Sequence, residues 1–148
     1  MALADFALRS ILAGFIGALA MTLVAGALRT AGLPSFDFGE LIATKLLRMA
    51  TDHRTRLGTL LHFGVGIVLA LLYALIFHVA APGLLGNLEW VRGGVYGVAL
   101  WLVMMLVVMP ALGEGPFGAG MGNAVAPVTL LLHLIYGGIL AEAYILGR

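Results

Sequence analysis

Residues 60–75, "LLHFGVGIVLALLYAL", and residues 131–146, "LLHLIYGGILAEAYIL", are two versions of one line. With an offset of 71, Leu60, Leu61, His62, Gly66, Leu69, Ala70, Tyr73 and Leu75 meet Leu131, Leu132, His133, Gly137, Leu140, Ala141, Tyr144 and Leu146. Leu and Ala coincide easily between apolar helices. His, Gly and Tyr do not. Within each copy the His, Gly, Leu and Tyr fall at i, i+4, i+7 and i+11, which sets all four on one helical face.

Neither line reads as the surface helix of a soluble protein, and the rest of the chain agrees. Of 148 residues, 62% are hydrophobic and 10% charged, whereas soluble domains carry about a quarter of their residues as Asp, Glu, Lys and Arg. Mean hydropathy is +1.10. The eight basic and seven acidic residues leave uncharged runs at 10–28, 57–88, 93–113 and 115–141. Each run exceeds the roughly 18 apolar residues that mark a membrane-spanning helix. The fold class is therefore all-α, a polytopic membrane four-helix bundle in one domain, 1–148, with spans at about 6–28, 57–79, 90–112 and 124–146. The first run resembles a secretory signal, but its flank holds one Arg and one Asp, and it reads as a retained span.

Spans one and three carry a fainter echo, "AGFIG" from Ala13 to Gly17 against "GGVYG" from Gly93 to Gly97. The repeating unit is then a hairpin used twice. Two spans separate the copies, so both cross in the same direction as tandem parallel hairpins. Lipid supplies no hydrophobic force between helices, and close contact comes through small residues. Ala13 and Gly17, Gly93 and Gly97, Ala70 with Gly66, and Ala141 with Gly137, each pair four apart on its helix, are the expected packing positions.

Between spans one and two, Asp37 and Glu40 form a capping box. Beyond it Glu40, Thr44, Lys45, Arg48 and Asp52 lie opposite Phe38, Leu41, Ile42, Leu46 and Met49, the pattern of an interfacial helix over about 38–51. The glycine-rich "GEGPFGAGMGNAVAP" lacks a Gly-Lys-Ser/Thr ending and a preceding strand, so it reads as a flexible or re-entrant connector and not a phosphate loop. Five basic residues on the loops after spans one and three, against three elsewhere, place the termini on the non-cytoplasmic side. Seven Arg to one Lys, with abundant Ala, Gly and Leu, suggest a bacterial source.

With no cysteine, thiolate sites and disulfides are excluded. A net charge of +1 points to no nucleic-acid partner. Polar groups within a bilayer are costly enough to be candidates by default. His62 and His133, at one depth on related faces, are placed to ligate a haem b iron from both sides, with Gly66 and Gly137 leaving room for the porphyrin and Arg54 and Arg56 in reach of its propionates. Glu142, near the end of span four, is the carboxylate that a cation-coupled transporter would use. Met21, Met104, Met105, Met109 and Met121 offer thioethers of the kind that select Cu(I), though Met at helical spacing usually fills gaps in a bundle. No catalytic residue and no conventional metal site emerge, which makes an enzyme unexpected.

"GFIGALAMT" in span one, with "HFGVGIVLALLY" and "HLIYGGILAEAY" in spans two and four, resembles the small four-helix bacterial membrane proteins grouped as YagU-like. That resemblance implies the fold and a cytoplasmic (inner) membrane location, and brings no activity. The expected function is a non-enzymatic accessory or structural subunit that packs in the bilayer against other membrane subunits or a second copy of itself, within a respiratory or photosynthetic assembly. The alternatives are a bis-histidine haem b electron carrier and a small cation-coupled transporter.

Overall fold

Charge placement decides where the helices can run. Asp5 and Arg9 lie one turn apart and pair at 2.8 Å, so the first helix extends through both and spans Leu3–Thr30 (α1). The computed structural model describes residues 3–33, 41–46 and 51–146, with the side chains of 42, 46 and 51–55 outside the description. Gly32 ends α1 at φ +74°. Its amide donates to Arg29 O at 3.1 Å and that of Leu33 to Leu28 O at 2.9 Å, the paired bonds of a Schellman terminus.

A second helix covers Thr51–Ala74 (α2) and widens into π-helical turns over Leu75–Ala80. A third covers Glu89–Val103 (α3), widens over Met104–Val108 and closes with Met109–Ala111. The fourth is Val125–Leu146 (α4). Both widened stretches have one cause. A proline ring clashes with the carbonyl four residues earlier and offers it no amide, and the residues four before Pro82 and Pro110 are His78 and Leu106, each inside a widened stretch.

Among the described residues there is no strand. Leu3–Thr30, Arg56–Ala80, Glu89–Ala111 and Val125–Leu146 are long and apolar enough to cross a membrane, the build of a polytopic membrane protein. Of the interfacial stretch 38–51, the structure describes Leu41 and a π-helical turn at Ile42–Leu46. Thr51 already belongs to α2, because nothing in "TDHRTR" interrupts the helix. The capping pair Asp37 and Glu40, with Phe38, Arg48 and Met49, lies outside the described residues.

Small residues set the helix contacts. A Cβ added to Gly14 of α1 would stand 2.8 Å from both Gly66 O and Ala70 Cβ of α2. One added to Gly93 of α3 would collide with Gly137 O of α4 and stand 2.8 Å from Ala141 Cβ. Likewise Gly66 faces Ala18, and Gly137 faces Gly97 N. By contact, then, Gly14 corresponds to Gly93 and Ala18 to Gly97, an offset of 79 where the "AGFIG" echo implies 80. The letters align Gly14 with Gly94 and Gly17 with Gly97; the packed face lies one residue on.

The remaining seams differ. Gly17 of α1 seats the ring of Tyr136, so α1 and α4 pack closely. At the corresponding positions, 79 and 71 residues away, stand Tyr96 on α3 and Val65 on α2. The large residue has moved from the second helix of the seam to the first. Tyr96 reaches across to donate to Leu69 O at 2.7 Å, and the α2 and α3 backbones stay apart.

The connector after α3 is ordered by glycines. Gly113, Gly115, Gly118 and Gly122 all adopt positive φ, which L side chains resist. The segment folds back on α3, setting the Phe117 ring 5.7 Å from that of Trp101. Lys45 pairs with its Glu114 at 2.8 Å, joining the chain after α1 to the connector after α3. Leu41 packs there with Met104, Met105, Met109 and Val125.

Candidate functional site

His62 stands on the inner side of α2 and His133 on that of α4, and both line one cavity of about 210 Å³. All four helices wall it: Ala18 and Met21 from α1, Val65, Gly66 and Leu69 from α2, Leu100, Val103, Met104 and Val108 from α3, Tyr136 from α4. Val65 and Val103, both exposed, mark the side between α2 and α3. The cavity follows from the open seam, since Tyr96 holds apart two helices that a glycine would have let close.

The ring of His133 is fixed by its own helix. Its Nδ1 lies 2.8 Å from Thr129 O, and a carbonyl can only accept, so Nδ1 carries the proton. In neutral imidazole that leaves Nε2 with its lone pair. Thr129 is itself held, its hydroxyl donating to Val125 O at 2.7 Å and receiving Trp101 Nε1 at 3.2 Å. The partner that orients His133 is thus the backbone carbonyl of Thr129 and not its hydroxyl. His62 packs edge-on to Phe63, ring centroids 5.7 Å apart. Tyr136 donates its hydroxyl to Gly66 O at 2.6 Å.

The other predicted positions fall in two groups. Ala13, Gly17, Gly93, Gly97, Ala70 and Ala141 are all buried between helices. Gly66 touches the cavity but also faces Ala18, and Gly137 lies against the α3 backbone, so the space these glycines free is filled largely by neighbouring helices. Arg56 is exposed at the start of its span, and the Arg54 side chain lies outside the described residues. Glu142 lines a separate groove with Asp5, Arg9 and Trp90, not the histidine cavity. Met21 and Met104 join the histidines; Met105 and Met109 pack into the cluster around Val125.

A second polar cluster escapes the sequence reading. Glu89 and Arg92, the charges that open α3, are buried and pair at 2.9 Å. Tyr73 donates to the other carboxylate oxygen of Glu89 at 2.9 Å, and His78 Nε2 lies 3.6 Å from that oxygen. Arg92 also donates to Leu84 O at 3.1 Å and to Pro82 O, tying down the turn between α2 and α3. His78 stacks on Tyr144, ring centroids 4.4 Å apart. The available signal was the Glu–Arg pair three residues apart at a span's first turn, a spacing that on a helix brings opposite charges together.

Fold and site define an all-helical chain of four bilayer-length helices around a cavity that presents two imidazoles. Residues 4–146 match a family of unknown function, DUF6789, and the chain belongs to that family. No curated protein and no solved structure matches it.

Proposed function

We propose that this protein is a non-enzymatic subunit of the bacterial cytoplasmic membrane, made of two tandem parallel hairpins, that acts by association: its outer faces pack against other membrane subunits, and the space between its hairpins holds a small ligand. The observation that carries this reading is the single cavity lined by His62 and His133, one from each copy of the repeated line. Two further matches support the tandem arrangement. Gly14 meets Gly66 and Ala70 as Gly93 meets Gly137 and Ala141. The repeated tyrosines Tyr73 and Tyr144 also meet, ring centroids 6.5 Å apart.

The chemistry within the cavity is that of ligation and packing: imidazole, thioether and a phenol already engaged by a carbonyl. A haem b ligated by both histidines draws on the same convergence. It also demands that α2 and α3 part, since 210 Å³ is below the roughly 300 Å³ at which small-molecule pockets begin. Transport coupled to Glu142 gains no support from the cavity, because Glu142 stands elsewhere.

The test is extraction from native membranes in mild detergent, followed by native electrophoresis, protein identification and absorption spectra before and after dithionite. Stable copurification with other membrane proteins is the expected result. A chain recovered alone from native membranes, with its fold intact, defeats the association reading; a reduced α-band lost in His133→Ala establishes haem.

A further inference from the structure

Four soft or borderline donors surround the cavity: the imidazoles of His62 and His133 and the thioethers of Met21 and Met104. They come from all of the four spans, and the linear sequence joins only the two histidines, through the repeat. We propose that this cavity is a Cu(I) site with those four side chains as its donors. The inference rests on the reading of the cavity as a binding site, and names what it binds.

Three features of the cavity select this ion. Thioethers are poor ligands for Mg²⁺, Ca²⁺ or Zn²⁺ and good ones for Cu(I), while imidazole serves copper as well. Among the described residues no carboxylate lines the cavity, so a bound cation keeps its full charge in an apolar, low-dielectric space. Burying one charge there costs far less than burying two, which favours a monovalent ion over any divalent one. The volume suits an ion with its side-chain ligands and is small for an organic cofactor.

The surroundings fix which nitrogen of His133 would face the ion. Thr129 O holds Nδ1 of His133 at 2.8 Å, so Nε2 is the ring's coordinating atom, in the arrangement by which a backbone carbonyl commonly orients a metal-bound histidine. The Tyr136 hydroxyl is taken by Gly66 O and does not compete. Met105 serves as an internal control: its sulfur lies 3.9 Å from the Thr129 hydroxyl, outside the cavity lining.

The experiment is an anaerobic titration of the full chain in mild detergent with Cu(I) against bicinchoninate, a chromogenic Cu(I) chelator. X-ray absorption at the copper edge is recorded on the loaded protein. The wild type should withdraw one equivalent from the chelator and show sulfur as well as nitrogen scatterers. The double variant Met21→Leu/Met104→Leu keeps side-chain volume and should keep the fold; it should lose the sulfur scatterers and about a hundredfold in affinity, with Met105→Leu unchanged. Copper bound equally by that double variant, or spectra without sulfur, overturns the proposal. A wild type that takes no Cu(I) but carries another small molecule lost in His133→Ala overturns copper and keeps the binding reading. A wild type that binds neither overturns both.

Discussion

Gly17 lies against the ring of Tyr136 so closely that a Cβ there would stand 3.1 Å from Cδ2 and 3.2 Å from Cε2. This contact closes the α1–α4 seam, and its reversal, with Tyr96 on α3 where α1 has glycine, keeps α2 and α3 apart. Gly17→Leu should therefore wedge the bundle open, at the roughly 1–3 kcal/mol typical of overpacking. Gly26→Leu on the same helix, where an added Cβ meets nothing within 4 Å, should leave stability nearly unchanged. Thermal unfolding of both variants in detergent checks this; equal melting temperatures would remove Gly17 as the seam's determinant.

The α3–α4 contact is stricter, since its neighbours are backbone. A Cβ on Gly93 or Gly137 would run into the main chain of the facing helix, whereas Gly94 and Gly138, one residue along, have open space. Gly93→Ala and Gly137→Ala should each destabilise by about 2 kcal/mol or more, because main chain cannot rotate away as a side chain can. Gly94→Ala and Gly138→Ala should be neutral or slightly stabilising, since Ala is the better helix former. Steric-trap or denaturant unfolding of the four variants measures the contrast directly.

How much of this was legible beforehand depended on what the bilayer makes visible. A bilayer demands long uncharged runs, so four helices could be placed within a few residues from charge alone. The repeated His, Gly and Tyr likewise marked spans two and four as related copies, and the structure sets both repeated histidines on one cavity. Which face of each helix packs was less legible, because lipid tails and the protein interior are equally apolar and leave no polar side to betray the contact. Hence the one-residue slip between the "AGFIG" echo and the face carrying Gly14 and Ala18. Glu89 and Arg92 were missed for a related reason: charge at a span's end ordinarily signals the water boundary, and here the turn at 81–88 folds over it, leaving Arg92 3% exposed.

That burial makes the Glu89–Arg92 pair sensitive to loss of one partner. Removing Arg92 strands a carboxylate held by Tyr73 and leaves the carbonyls of Pro82 and Leu84 without their donor. Arg92→Met should cost about 3–5 kcal/mol, the usual penalty for an uncompensated buried charge. Glu89→Gln/Arg92→Met, with no charge left to strand, should cost distinctly less than the two single changes summed. A double-mutant cycle on unfolding free energies is the check. Strict additivity would mean that the two charges do not depend on each other, against their 2.9 Å contact.

The two tryptophans test the orientation of the whole bundle. Trp90 stands at the start of α3 and is 63% exposed, while Trp101 lies three turns on, about 16 Å further along the axis at 1.5 Å per residue. In a hydrocarbon core about 30 Å thick, that separation puts one ring at the headgroup boundary and the other near the midplane. Trp101 is anchored there, its indole N–H donating to Ala126 O at 3.1 Å and to Thr129 Oγ1 at 3.2 Å. Trp101→Phe should thus lose about 1 kcal/mol of stability and leave Trp90 as the sole emitter. In liposomes carrying lipids brominated at defined depths, that variant should be quenched best by bromines near the headgroups. Trp90→Phe, which leaves Trp101, should be quenched best by bromines near the chain ends. Equal, shallow quenching of both would mean that α3 lies along the membrane surface, and the four helices would have to be read as a bundle outside the bilayer.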